Sequence, residues 1–165
     1  MIKSITKLNW LLVLILGLCF VSPTAQAQGD MEPYQALCNF VNSAKMGSGM
    51  SWNYISSRMQ TSIVDRCIQQ IHATDPNFAR RYSPSQLKYY ILTQLSNPYS
   101  QLSTTFWKNF TQNIKINEWF LDNPIVTMDG ENKAIVRTNT STQYRLFHMV
   151  REGNAWKLDE EVVNR

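Results

Sequence analysis

Two histidines and one run of carboxylates are the groups in this chain best suited to moving protons. His148 lies in an alternating segment, residues 143–151, that reads as a strand. Tyr144, Leu146, His148 and Val150 share one face of it, and Arg145, Phe147, Met149 and Arg151 share the other. The apolar set on each strand is expected to meet the helices. That places His148 with Leu146 and Val150 toward the interior, as a candidate general base with Tyr144 or a nearby acid assisting. A histidine so placed is more often simply hydrogen-bonded in or beside the core. His72 ends a helical stretch, where its charge suits the helix C-terminus. Asp159, Glu160 and Glu161 are consecutive strand residues, so neighbours are expected to point to opposite faces rather than cooperate at one site. The chain has no Gly-x-Ser-x-Gly nucleophile turn and no phosphate-binding glycine loop, and Gly47-Ser48-Gly49 stands alone. No cofactor and no metal are expected, since the cysteines and histidines do not cluster.

Cys38 and Cys67 are the next chemical feature. Their spacing is too wide for a Cys-x-x-Cys redox pair. In an oxidising compartment the even count favours a structural bridge, which closes a loop of about 30 residues and stabilises the fold by about 3–4 kcal/mol. Aromatic side chains are the third feature. Trp52, Trp107, Phe106, Phe110, Trp119, Phe120, Tyr144, Phe147 and Trp156 form either a core or the lining of a ligand cavity between helices and sheet. Packing accounts for most of them. The candidates kept for ligand binding are Trp52, Trp119, Tyr144, His148 and Trp156. Asn109-Phe-Thr111 and Asn139-Thr-Ser141 fit the glycosylation acceptor pattern, which matters only in a host that glycosylates asparagine.

The elements that must position these groups fall into a helical half and a strand half. Tyr34, Leu37, Val41 and Ala44 have helical spacing from Pro33 onward, and Gly47-Ser48-Gly49 ends that helix. A second stripe runs through Trp52, Ile55, Met59, Ile63 and Cys67 to Ile71, closed by Asp75-Pro76. The third helix opens with Ser83-Pro84-Ser85-Gln86, a capping serine, a proline at the first helical position and a glutamine three residues on. Residues 99–113 form a fourth helix, with Leu102, Phe106 and Phe110 four apart. Cys38 and Cys67 then sit on the apolar sides of the first two helices. From residue 114 the period becomes two. Strands are expected over 116–128, with a bend at Asp122-Asn123-Pro124, and over 133–139, 143–151 and 155–163, with turns at Asp129-Gly130 and Gly153-Asn154. Helices followed by an antiparallel meander imply a segregated α+β domain, residues 28–165, of roughly 138 residues.

Ahead of that domain, Lys3 and Lys7 precede an apolar run from Trp10 to Val21, then Ser22-Pro23 and Ala25-Gln26-Ala27. This is the layout of a secretory signal peptide over residues 1–27. Its apolar run of about 12 residues falls short of the roughly 20 needed for a permanent span. Cys19 follows Leu18 rather than a small residue, so it reads as leaving with the leader rather than carrying lipid. The precursor has sixteen basic and twelve acidic side chains, a net charge of +4. Loss of Lys3 and Lys7 leaves fourteen against twelve, or +2. Arg80-Arg81 is the only basic pair, so a nucleic-acid partner is not expected.

The closing strands resemble those of the NTF2-like (cystatin-like) α+β superfamily, particularly small exported bacterial members akin to lumazine-binding-like proteins. The similarity rests on Ala134-Ile-Val-Arg137, on Tyr144-Arg-Leu-Phe-His-Met-Val-Arg-Glu-Gly153 and on the hairpin Val150-Arg-Glu-Gly-Asn-Ala-Trp-Lys-Leu158. It implies three to four N-terminal helices on a curved four-stranded sheet, the sheet curled as a cone around a pocket. Enzymes of that superfamily place an aspartate or histidine in the pocket, and no such pair matches here. The expected function is an exported, periplasmic or secreted, non-enzymatic binding or accessory protein for a small apolar ligand or an envelope protein partner. The alternative is a small pocket enzyme of isomerase or dehydratase type using His148 as base.

Overall fold

Helix α1, Glu32–Lys45, buries one stripe made of Leu37, Phe40, Val41 and Ala44, with Glu32 in its first turn and Lys45 in its last to suit the helix dipole. Its stop is a Schellman arrangement. Gly47 takes φ +62°, its N–H donates to the Ala44 carbonyl at 2.8 Å, and the Ser48 N–H donates to that of Ser43 at 3.1 Å. The computed structural model describes residues 32–114, 116, 119, 121–139 and 144–164, with backbone alone from 161 onward. The expected leader, residues 1–27, lies outside the described residues.

A 3-10 helix, Gly49–Tyr54, follows, and α2 runs Ser57–Thr74. The sequence stripe extends this helix back to Trp52; the chain instead breaks at Ser56. Ser56 caps α2 by accepting from the Met59 N–H, and its own N–H donates to the Leu158 carbonyl at 2.8 Å. Pairing with the sheet thus overrides helical periodicity at Ile55 and Ser56. Asp75 ends α2 and caps the one-turn helix α3, Pro76–Ala79, which the sequence reading lacks. Helix α4, Pro84–Ser96, has the expected capping box of Ser83 and Gln86. Helix α5, Gln101–Asn113, is capped by Ser100. Its weak helix formers are accommodated by hydrogen bonds: Ser103 Oγ donates to the Leu95 carbonyl and Thr104 Oγ1 to that of Ser100.

Strands β1 (Ile125–Met128), β2 (Lys133–Asn139), β3 (Tyr144–Glu152) and β4 (Ala155–Asn164) form one antiparallel sheet in sequence order, an α+β architecture that is not closed. β1 is far shorter than the expected strand over 116–128. Ile116 and Trp119 are buried outside the sheet, and Asn123, at φ +48°, turns the chain just before β1.

The helix-facing side of the sheet carries Ala134, Val136 and Thr138 from β2, Phe147 and Met149 from β3, and Trp156 and Leu158 from β4. This reverses the expected orientation of β3: Tyr144, Leu146, His148 and Val150 lie on the outer face. Both faces of β3 carry apolar residues, so alternation alone does not choose between them. The neighbour decides. Lys133 and Arg137 of β2 must face water, and the register sets them opposite Val150 and Leu146. Within the helical layer Trp107 meets Phe40 and Phe110 edge-on at 6.1 and 5.2 Å, and against the sheet Trp119 lies 5.2 Å from Phe147. Buried rings thus occupy part of the space expected for a cone pocket.

Gly49 is where the helical layer is tightest. A Cβ there would lie 2.5 Å from Pro98 Cα and 2.7 Å from the Pro98 carbonyl oxygen, both backbone atoms. Gly49→Ala is therefore expected to lower stability by about 1–3 kcal/mol in urea unfolding. An unchanged midpoint would show that the two segments separate without cost.

Candidate functional site

Asp159 occupies a β-bulge. Leu158 pairs with Met149 and Glu160 with His148, so Asp159 is the extra residue on β4. The bulge overturns the expectation that consecutive carboxylates diverge. Arg58 Nη2 reaches Asp159 Oδ2 at 2.7 Å and Glu160 Oε2 at 3.5 Å. Ser56 Oγ also donates to Asp159 Oδ1, and Arg58 Nε makes a second contact there at 3.0 Å. Nearby, Glu152 accepts from the Ser57 N–H and Oγ at 2.8 and 3.0 Å, so two carboxylates meet the N-terminus of α2.

On the outer face the same bulge borders a hollow of about 230 Å³. His148, Glu160, Asp159, Asp129 and Lys133 line it over Ile135 and Val150. His148 is half-buried here rather than in the interior. Tyr144 shares its face but lies four residues along β3, about 13 Å at strand rise, too far to assist it directly. Tyr144 instead carries the Arg137 guanidinium over its ring at 4.4 Å.

The larger concavity lies between α2 and α5, a groove of about 560 Å³. Its floor is Cys67 and Ile71 from α2 with Leu102, Phe106, Phe110 and Ile114, all half-buried. Its rim is Arg66, Gln70, Thr74, Thr105, Asn109 and Asn113, all exposed. The i, i+4 spacing of Leu102, Phe106 and Phe110 was legible as an apolar stripe and read as core. Nothing in the sequence distinguishes a stripe that is covered from one left half open. The groove offers contact area and polar rim groups rather than a nucleophile with its base. Burial pushes the Cys67 thiol up, against the opposing charge of Arg66, so Cys67 is held as a neutral thiol.

Of the residues singled out from sequence, Trp52, Trp119 and Trp156 are buried in the core, while Tyr144 and His148 lie on the opposite face of the sheet. The fold does not bring these five together. The structure contains no Cys38–Cys67 bridge of the kind expected, and both thiols are free in it. Their surroundings differ: Cys67 lines the groove, whereas Cys38 lies beside Tyr34 on α1. The Tyr34 hydroxyl donates to the Leu121 carbonyl at 2.9 Å. Burial, followed by hydrogen bonding with Cys38, pushes that hydroxyl up to about 12. Among the described residues no group of three or more His, Cys, Asp or Glu is placed to hold a metal. No helix among them is long and apolar enough to cross a membrane. No protein-family model, curated protein or solved structure matches the chain.

Two outcomes follow from this geometry. Burial pushes the Asp159 carboxyl up, but hydrogen bonds from Arg58 and Ser56 and the charges of Arg58 and His148 outweigh it, leaving the group below its ordinary 3.8. A depressed folded-state pKa stabilises the fold above the unfolded value, and this contribution is lost as the pH falls through the folded value. Thermal melts should therefore show stability falling below about pH 4, and Asp159→Asn should flatten that fall while lowering stability at neutral pH. Peptide mapping after alkylation under denaturing, non-reducing conditions should find both Cys38 and Cys67 modified; a Cys38–Cys67 linked peptide would contradict the free thiols.

Proposed function

We propose that this chain is an exported binding or accessory protein, periplasmic or secreted, that holds a small apolar ligand in the groove between α2 and α5 and performs no catalysis on it. One observation carries the reading: six half-buried apolar side chains face a common hollow of about 560 Å³ inside a polar rim. That volume is within the usual range for small-molecule sites, and an apolar floor with few polar groups is their usual composition. The leader-like residues 1–27 support export. Placement in the NTF2-like superfamily is part of the proposal, supported by the order of helices before an antiparallel C-terminal sheet and by the Val150–Leu158 hairpin sequence. The ligand is placed outside the sheet–helix interior because buried rings occupy part of that interior.

Binding is read with a neutral hydrophobic fluorophore such as N-phenyl-1-naphthylamine. Saturable enhancement is expected with the wild-type chain. Ile71→Trp, which fills the groove, should weaken it roughly tenfold while the far-ultraviolet circular dichroism stays unchanged. Absence of saturable binding, or equal binding by a folded Ile71→Trp protein, would refute the reading.

A further inference from the structure

We infer that the ligand of this groove is a single-chain amphiphile with a carboxylate head, and that Arg66 selects the head's charge. The inference rests on the binding reading above and deepens it. The shape of the floor is the first argument. Leu102, Phe106, Phe110 and Ile114 follow one line along α5, about 18 Å from end to end at helical rise. Cys67 and Ile71 of α2 face the same groove. A trough of that length suits an extended alkyl chain better than a compact ring system, and each methylene buried along it adds to the affinity.

Charge supplies the second argument. Among the described residues, Arg66 is the only ionised one lining the groove, and no carboxylate lines it. Its own contact is with Ser62 Oγ, one turn back on α2, at 3.3 Å from Nη2. The neighbouring acid, Asp65, is paired with Lys88 of α4 at 3.3 Å instead. Among the described residues Arg66 forms no ion pair. A guanidinium carries five N–H donors in a planar fork that matches a carboxylate. Gln70, Asn109 and Asn113 add amide groups along the rim. A chain lying on the phenyl rings therefore presents its head to one cation and several neutral donors, and no described lining residue repels a negative charge. A cationic head would meet Arg66 with no compensating acid.

The test compares laurate, dodecanol and dodecyltrimethylammonium, each below its aggregation concentration, as competitors for the bound fluorophore. Laurate should displace it about threefold to fivefold more effectively than dodecanol, the difference expected of one solvent-accessible charge pair. Dodecyltrimethylammonium should be the weakest. Arg66→Gln should bring laurate down to the level of dodecanol. Raising the salt toward 1 M should do the same through screening. Equal displacement by laurate and dodecanol, or a laurate preference that survives in Arg66→Gln, would overturn the assignment of the head group while leaving the groove a binding site. If the fluorophore itself does not bind, the binding reading fails and this inference fails with it.

Discussion

The Asp159 carboxylate is the point on which the two halves of the fold meet. It accepts from the Ser56 hydroxyl that caps α2 and from the guanidinium of Arg58, the second residue of that helix. It can do so only because it is the unpaired residue of a bulge, which turns its side chain out of the strand's alternation. The start of an eighteen-residue helix is thereby fixed to a strand about a hundred positions away in sequence. The N-terminal end of α2 is held at β4, while farther along the helix the apolar stripes of α2 and α5 stay half open.

The aromatic side chains fall into two sets. Trp107 within the helical layer, and Trp119 and Phe147 against the sheet, are fully or almost fully buried. Phe106 and Phe110, on the α2 side of α5, keep part of their surface. Phe106 meets the buried Trp107 edge-on at 5.2 Å and stacks on Phe110 at 5.9 Å. A ligand in the groove would therefore rest on the outer layer of a rigid aromatic pile rather than on mobile side chains.

How much of this could be read from residues alone depended on whether the deciding contact was local. The Ser83–Gln86 capping box and the strand Lys133–Asn139 were legible because the signals lie within a few residues of what they govern. The start of α2 was not, because Ser56 answers to Leu158 and Asp159. The facing of β3 was misread for a similar reason: Leu146 and Val150 are nearly as apolar as Phe147 and Met149, and charged residues of the neighbouring strands, Lys133 and Arg137 on one side and Lys157 and Glu160 on the other, settle which side is wet. The cysteines were paired from their count and from apolar neighbours. Two half-buried thiols on adjacent helices can nevertheless belong to different surroundings, one at Tyr34 and one in the groove. Cys67, Ile71, Leu102, Phe106 and Phe110 of the groove were visible as apolar stripes, whereas Ile114 was assigned to the strand half; the incomplete covering is a property of helix placement.

The short parallel bridge between Ile55 and Leu158 has a consequence for association between chains. An open sheet ends in strands whose outer amide and carbonyl groups can recruit another strand. At β4, the longest strand and one end of the sheet, the Ser56 N–H occupies the Leu158 carbonyl. The neighbouring Asp159 bulge further breaks the regular row that a second chain would need. At the other end β1 spans only four residues. The connection that carries the chain from its first helices into α2 thus also serves as a stopper against sheet extension.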